Sequence, residues 1–391
     1  MTDLAAARNI LQTLVGFDTT SRHSNLALIE WVEAYLDGQG VPHRRAPNAD
    51  GTKSNLLATV GPAVEGGAVL SGHTDVVPVD GQPWSSDPFS LVERDGRLYG
   101  RGTCDMKGFL ALALAAVPDL IAAGPRRPVH LAFSYDEEIG CLGAPGLIEL
   151  IERELPAPAF VVVGEPTDMV AVNGHKGIAY FEVRVSGHEA HSSQTHLGVS
   201  AIMEAVTLMA SLSALAERLE RDADPGSPFT PKGATLTIGI VNGGTAGNIL
   251  ARECRFLFDL RCPPGLHAET LLAPFFAEAQ ALDAALKARA PEAGVQVRKL
   301  SDVPGFAPEP GGAAETFARR LAGDNGPARA VSYAAEAGQF QRAGLSTVLC
   351  GPGSIAQAHQ PDEYVEISQM ERGVAFMRRL VEWAASASPP A

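Results

Sequence analysis

Basic residues are scarce in this chain, which has 31 lysines and arginines against 45 aspartates and glutamates among 391 residues. The formal net charge is −14 at pH 7. Nucleic acids and anionic membrane surfaces both attract proteins through a basic face, so the composition argues against either as a partner. An acidic balance suits a cationic substrate, although solubility alone is the simpler explanation.

Cysteines and long apolar runs are also scarce. The most apolar run, 109–123, is interrupted by Pro118 and Asp119 and is too short to span a bilayer. The N-terminal segment lacks the basic stretch of a signal peptide, so we expect an amphipathic first helix over residues 4–15. Wide spacing and an odd count indicate reduced thiols in a cytoplasmic protein, for the five cysteines Cys104, Cys141, Cys254, Cys262 and Cys350.

The length and the hydrophobic content of 46% predict two domains, each with its own core. Over residues 1–177, continuous apolar strands alternate with helical segments. This pattern is typical of a mixed, mostly parallel α/β sheet with helices on both faces. Over 178–300 the strands alternate in polarity and flank two long helices, which predicts an inserted α+β domain with an antiparallel sheet. The α/β pattern returns over 301–391, so we expect this part to complete the first domain.

The stretch Ser71–Gly108 carries the clearest chemical pattern. His73 and Asp75 lie two positions apart after an apolar run, so on a strand their side chains face the same side. A carboxylate beside a metal-binding imidazole fixes its tautomer and raises its basicity. Asp105 follows a Gly-Arg-Gly turn and precedes a long apolar segment. We therefore expect Asp105 at the start of a helix, where a carboxylate is favoured.

Further acidic residues and a histidine follow other predicted strands. In sheets rich in parallel strands, ligands collect at the carboxyl ends of the strands. His73, Glu137, Glu138 and Glu165 are expected at such ends, and His359, in the loop after the predicted strand 346–350, is the expected far ligand. One of the two adjacent glutamates can bind a metal while its neighbour acts as a base, which is the combination that a metal hydrolase needs.

Three carboxylates and two histidines form a hard set of oxygen and nitrogen ligands. Such a set suits two Zn²⁺ or related divalent ions, with Asp105 between them. Three carboxylates and one hydroxide carry four negative charges, which two divalent cations balance. Each residue alone has a simpler explanation, such as a structural histidine or a solvated surface glutamate. Their recurrence at successive strand ends is what favours a metal site.

Six motifs resemble those of the di-zinc metallopeptidases and amino-acid deacylases, and the resemblance covers nearly the whole chain: SGHTDVVP, GRGTCDMKG, SYDEEIGCLG, VVGEPTD, GHEAHSS and GPGSIAQAHQPDEYV. The resemblance implies five ligands, namely His73 and Glu165 on one zinc, Glu138 and His359 on the other, and Asp105 bridging both. It also implies that Asp75 orients His73 and that Glu137 is the general base.

In the inserted domain, the resemblance implies a lid that often forms the homodimer interface of the family. His191 in GHEAHSS resembles the histidine that stabilises the oxyanion, where a hydrogen-bond donor strengthens in the transition state. Asn248 and Arg261 resemble lid residues that contact the substrate. Arg261 is a candidate bidentate clamp for a substrate carboxylate, although a surface charge at a strand end explains it equally well.

The activity implied by the resemblance is hydrolysis of the N-acyl bond of an acylated amino acid, a small-molecule substrate. Zn²⁺ is the expected metal, with Co²⁺ as the alternative. Another acyl amino acid or a small peptide would need the same chemistry. A non-catalytic binding protein on this scaffold is the remaining alternative, and the presence of every expected ligand and of the base argues against it.

Overall fold

The computed structural model describes residues 2–386, which divide into two compact units. The larger unit comprises the chain up to Gly174, residues 308–329 and the chain from Ala335 onward. The smaller unit comprises His175–Ala307 and Ala330–Ala334. The predicted insertion, 178–300, falls within the first of these two smaller-unit segments. The sequence pattern does not signal that Ala330–Ala334 belongs with them.

Ten α-helices, α1–α10 in chain order, occur in the described part of the chain: Leu4–Val15, Leu26–Gly38, Lys107–Ala115, Val117–Ala123, Ala144–Glu154, Ala201–Arg221, Ala268–Arg289, Ala313–Ala322, Ala337–Arg342 and Ile367–Ala385. Fifteen strands, β1–β15, occur among the same residues: His43–Pro47, Ser54–Val60, Ala68–His73, Val92–Arg94, Arg97–Tyr99, Val129–Ser134, Phe160–Pro166, Val172–His175, Gly177–Ser186, Thr235–Gly243, Glu253–Cys262, Gly294–Val303, Arg329–Val331, Thr347–Gly351 and Tyr364–Glu366.

The main sheet has eight strands in the order β1-β2-β6-β3-β7-β14-β8-β13. Its central strands β6, β3, β7 and β14 are parallel, whereas β1, β2 and β8 pair in the antiparallel direction. The central strands are buried along their whole length, which explains why they are written as continuous apolar runs. The prediction of a mixed, mostly parallel α/β sheet is therefore confirmed.

Helices cover both faces of the central strands. Side chains alternate between the faces of a strand. Leu70, Leu131 and Val162 point into one cluster together with apolar residues of α1, α2, α3, α4, α8 and α10. Val69 and Val161 alternate with them and lie outside that cluster, as do the buried residues of α5.

The apolar segment after Asp105 forms two helices in the structure. All nine residues of α3 are buried, as expected for a helix that is apolar on every side. Pro118 lies in the first turn of α4, where its missing N–H costs no hydrogen bond. The predicted interruption at Pro118 is therefore confirmed. At the N-terminus, α1 covers the predicted residues, and the Asp3 carboxylate caps it by accepting the N–H of Ala6 at 2.7 Å.

The smaller unit is an antiparallel sheet packed on two long helices. Its four strands have the order β10-β11-β9-β12. Along β9 buried and partly exposed positions alternate, because one face of the sheet packs on α6 and α7. Stacked rings of Phe181 and Phe258 lie at the centre of that core. The predicted α+β fold with an antiparallel sheet is confirmed.

The remaining bulk predictions concern the cysteines and the membrane. All five cysteines are buried and none forms a disulfide. Within residues 2–386, no helix combines the length and the apolar character needed to cross a bilayer.

His130 of β6 makes the stability of the larger unit dependent on pH. Its side chain is buried, its Nδ1 lies 2.9 Å from Oγ1 of Thr59, and its Nε2 has no hydrogen-bond partner within residues 2–386. Burial lowers the pKa of His130 to about 4. Between about pH 6.5 and 4, His130 is therefore protonated in the unfolded chain and neutral in the folded chain. The free energy of unfolding falls by about 3 kcal/mol as the pH falls through this window.

We expect His130→Leu to reduce this acid-induced loss, because leucine fills the site without titrating. Thermal unfolding between pH 7 and pH 4 measures the difference, with the exposed His196→Leu as the matched control. Equal losses of stability in wild type and His130→Leu would contradict the assignment.

Candidate metal centre

Four neighbouring strands place the predicted ligands at one edge of the main sheet. Because β6, β3, β7 and β14 run parallel, their carboxyl ends lie at the same edge. His73 is the last residue of β3, and Glu137 and Glu138 follow β6. Glu165 lies inside β7, which continues to Pro166 beyond the apolar run that predicted it.

Asp105 and His359 come from two loops that are held side by side. Asp105 lies just before the start of α3, and His359 lies in the loop between β14 and β15. β15 pairs with β5, which precedes the Asp105 loop. One carboxylate oxygen of Asp105 lies 3.0 Å from Nε2 of His73, and the other lies 3.4 Å from Nε2 of His359. Asp105 therefore stands between the two histidines with one oxygen toward each.

His73 belongs to two groups of potential metal ligands, and within each group the ligand atoms all lie within 4.8 Å of one another. One group contains His73, Glu137 and Glu165, and the other contains His73, Asp105 and Glu138. Oε2 of Glu138 also lies 3.0 Å from Nε2 of His359. The structure therefore brings together all five predicted ligands and the predicted base.

The donor set and its hydrogen bonding fit divalent metal ions. Oε1 of Glu165 is buried and has no hydrogen-bond partner among the described residues. A buried carboxylate oxygen without a partner is costly, and a cation would satisfy it. Carboxylate oxygens and imidazole nitrogens are ligands that Zn²⁺ accepts, and the mixture also suits related divalent ions.

Crowding and burial oppose ionisation of the glutamates. Burial and the charge of Asp105 raise the pKa of Glu138 to about 7. Burial and the charge of Glu165 raise the pKa of Glu137 well above its ordinary value. Burial, followed by the charge of Asp105, also raises the pKa of Glu165. The free chain therefore tends to hold protons on these glutamates, and positive charge from bound metal would favour their ionised forms.

The histidines and Asp105 show the opposite tendency. Hydrogen bonds to Asp105 and Glu138 raise the pKa of His359 to about 11. Burial alone would lower the pKa of His73, but its hydrogen bond to Asp105 and the surrounding carboxylates raise it further than burial lowers it. Burial would raise the pKa of Asp105, yet the hydrogen bonds from both histidines outweigh burial and hold it below its ordinary value.

Asp75 contacts His73 mainly through its main chain. Its carbonyl oxygen lies 2.9 Å from Nδ1 of His73, whereas its carboxylate is 3.6 Å away. The carboxylate accepts the N–H groups of Glu137 at 3.1 Å and Glu138 at 3.3 Å, and the Ser21 hydroxyl at 2.7 Å. Asp75 therefore links the His73 strand to the loop that carries the two glutamates.

Several supporting residues were not found from sequence. The Cys141 thiol donates to Oε1 of Glu137 at 3.4 Å, and burial raises the pKa of that thiol so that it stays protonated. Lys53 pairs with Asp136, the residue before Glu137. These contacts join segments that are far apart in the chain or lie within an irregular loop, so no periodic pattern marks them.

The three predicted lid residues lie in the smaller unit. His191 is exposed, and its Nδ1 lies 2.8 Å from Oγ of Ser193. The N–H of Ser192 donates to the carbonyl of Asn248 at 2.9 Å, so the His191 and Asn248 segments lie side by side. Nε of Arg261 donates to Asp259 at 2.9 Å. The roles of these residues toward a substrate stay predictions.

A cluster of carboxylates and imidazoles at the carboxyl edge of an α/β sheet, with a further glutamate beside the ligands, defines a metal-dependent amidohydrolase. Comparison with known proteins gives the family. The sequence profile of the peptidase family M20/M25/M40 matches residues 69–383, and the chain belongs to this family.

Individual relatives agree with this assignment. The chain is 36% identical to an acetylornithine deacetylase of Myxococcus xanthus, over 97% of each protein. Its fold is similar to that of an M20 family metallo-carboxypeptidase of Sulfolobus solfataricus, with a TM-score of 0.77 and 17% identity over 97% of this chain and 99% of the other. It is also similar to a dinuclear metal-binding M20 peptidase of Bacillus subtilis, with a TM-score of 0.62 and 15% identity over 97% and 98% of the two chains.

We expect His359→Ala to lose one of two bound metal ions, because His359 reaches only the Asp105–Glu138 side of the centre. Asp105→Ala should weaken both ions, because its two oxygens face different histidines. Zinc content after gel filtration measures both effects, with the exposed His196→Ala as a control. Two tightly held ions in His359→Ala would contradict the ligand assignment.

Metal binding should release protons and weaken as the pH falls. At neutral pH the metal-free chain holds a proton on His359, whose pKa is about 11, and Glu138, whose pKa is about 7, is partly protonated. A metal ion must displace these protons. Calorimetric titration with Zn²⁺ in buffers of different ionisation enthalpy counts the protons released. Affinity that does not change between pH 6 and 8 would contradict this expectation.

Proposed function

We propose that this protein hydrolyses the N-acyl bond of N2-acetyl-L-ornithine, giving L-ornithine and acetate, and thereby acts in arginine biosynthesis. The observation that carries the proposal is the Glu137 carboxylate placed beside a complete set of metal ligands. The likeness to an acetylornithine deacetylase over 97% of both chains supports the choice of substrate. The motifs GRGTCDMKG, GEPTD, HKG and AHQPDEYV also resemble that enzyme most within the family.

Glu137 is suited to carry a proton between water and the leaving amine. Bound divalent ions, for which we propose Zn²⁺, would polarise the acyl carbonyl and acidify a water molecule. Glu137 removes a proton from the attacking water while the water oxygen bonds to the acyl carbon. The carbon–nitrogen bond then breaks, and Glu137 gives the proton to the departing nitrogen. Burial is the largest cause of the raised pKa of Glu137, and it brings proton uptake closer to neutral pH, as this shuttle requires.

The surroundings of Glu137 hold its carboxylate ready for this role. Its N–H is fixed by the Asp75 carboxylate, and its Oε1 accepts the Cys141 thiol. The neighbouring Glu138 faces His359 and so takes the ligand role instead. These contacts support the proposal that Glu137 is the base and that Glu138 is a metal ligand.

Residues of the smaller unit complete the proposal. We propose that His191 donates a hydrogen bond to the developing oxyanion and that Asn248 and Arg261 contact the substrate. Closure of a lid over the bound substrate would exclude water from the reaction. Formation of a homodimer through this unit stays a prediction, and the motif resemblance is what supports these roles.

Substrate choice is tested by the rate of amine release from N2-acetyl-L-ornithine, N-succinyl-L,L-diaminopimelate and N-acetylmethionine by metal-loaded protein. We expect a strong preference for acetylornithine that a chelator abolishes. Preference for one of the other compounds would be consistent with the proposed hydrolytic centre and would contradict the assignment of acetylornithine as the substrate. Zinc binding without hydrolysis of any acyl amino acid would contradict the proposed function as a whole.

We expect Glu137→Ala to lower kcat by at least about 100-fold, because the proton carrier is lost. Its zinc content should remain at the wild-type level, since Glu138 and His359 keep their contacts. Glu152→Ala, an exposed glutamate of α5, is the matched control and should retain full activity. A near wild-type rate in Glu137→Ala would rule out Glu137 as the base.

A further inference from the structure

Glu363 is a buried carboxylate whose two oxygens each accept two hydrogen bonds. Oε2 accepts Nη1 of Arg101 at 2.8 Å and the N–H of Gly102 at 3.0 Å. Oε1 accepts the N–H groups of Cys104 at 2.9 Å and Asp105 at 3.1 Å. The Glu363 and Arg101 side chains are each only 1% exposed. Charge-assisted bonds of this kind are among the stronger hydrogen bonds in proteins.

These bonds join the two loops that carry Asp105 and His359. Glu363 follows His359 in the same loop, immediately before β15. All four of its donors belong to residues 101–105, which form the turn that leads into Asp105, and three of them are main-chain N–H groups, including that of Asp105 itself. The main chain adds a further link, because the N–H of Gly100 donates to the carbonyl of Glu363 at 2.9 Å.

Arg101 extends the same connection to the main chain of His359. Its Nη2 donates to Oε1 of Gln82 at 2.6 Å, and Nε2 of Gln82 donates to the carbonyl of His359 at 2.9 Å. Its Nη1 also reaches the carbonyl of Gln360 at 3.3 Å. Arg101, which lies in the turn before Asp105, therefore contacts the His359 segment. Glu363, which lies in the loop that follows His359, binds the Asp105 turn in return.

The charges of this pair suit a supporting role. The Arg101 guanidinium lies beside the Glu363 carboxylate, so the two compensate each other's charge without a metal ion. The Asp105 carboxylate, in contrast, faces the two histidines. Glu363 thus orients the main chain of Asp105 and leaves the side chain free for a metal.

We propose that Glu363 and Arg101 are positioning residues that hold Asp105 and His359 at ligand spacing before metal binds. Rigid placement of ligands increases metal affinity, because less ordering remains to be done on binding. The inference rests on the proposed metal centre and not on the choice of substrate. Metal affinity is measured without substrate, so the failure of either proposal can be recognised separately.

The test is zinc affinity measured by competition with a chelator. Glu363→Gln keeps the shape but places an amide N–H₂ against two of the four donors. We expect it to bind Zn²⁺ about 10- to 100-fold more weakly than wild type. Glu363→Asp, which keeps the charge on a shorter side chain, should recover part of the loss. Glu366→Gln is the matched control, because Glu366 is half-exposed and pairs only loosely with Arg97 at 3.6 Å.

Thermal unfolding of the metal-free variants separates positioning from general stability. If metal-free Glu363→Gln is folded and binds zinc as tightly as wild type, the proposal is overturned. The same holds if its unfolding temperature falls while the zinc affinity of the folded protein is unchanged.

Hydrogen exchange on the wild-type protein gives a second test that does not depend on the folding of a variant. Without metal, the amides of Gly102, Cys104 and Asp105 should be protected, because the Glu363 carboxylate already holds them. Exchange at the rate of exposed loops, with protection only after zinc is added, would show that metal builds the arrangement. That result would overturn the proposal.

Discussion

The crowding of Asp105, Glu137, Glu138 and Glu165 at one edge of a buried sheet is the constraint that the larger unit must satisfy. Four carboxylates in a poorly hydrated space repel one another unless positive charge is supplied. In the free chain, the charges of His73 and His359 and protons on the glutamates meet part of this need. Divalent cations would meet it more fully, which is why the same arrangement is well suited to bind them.

The fold places these groups together and then holds their loops with other carboxylates. Parallel strands bring the chain to one edge of the sheet repeatedly. The fully buried helix α3, which begins two residues after Asp105, anchors the Asp105 loop in the core. Asp75 accepts the N–H groups of both adjacent glutamates, and Glu363 accepts that of Asp105. A common principle follows, in which carboxylates outside the ligand set orient the backbone so that the ligand carboxylates stay free.

The sequence predicts the parts of this arrangement that have a local signature. Continuous apolar runs mark the buried strands, Pro118 marks the break between α3 and α4, and polar residues at strand ends mark the edge where His73 and Glu165 lie. Glu363 has no such signature, because its partner Arg101 lies 262 positions earlier in the chain. The closer approach of the Asp75 carbonyl to His73 likewise depends on the backbone path after β3, which a residue pattern does not encode.

One oxygen of Asp105 faces His73 and the other faces His359, so we propose that this carboxylate lies between two metal ions. Anomalous diffraction at the zinc absorption edge, from crystals of the zinc-loaded protein, tests it most directly. We expect two peaks on opposite sides of the Asp105 carboxylate, one beside His73 and Glu165 and the other beside Glu138 and His359. A single peak, or peaks ligated by other residues, would contradict it.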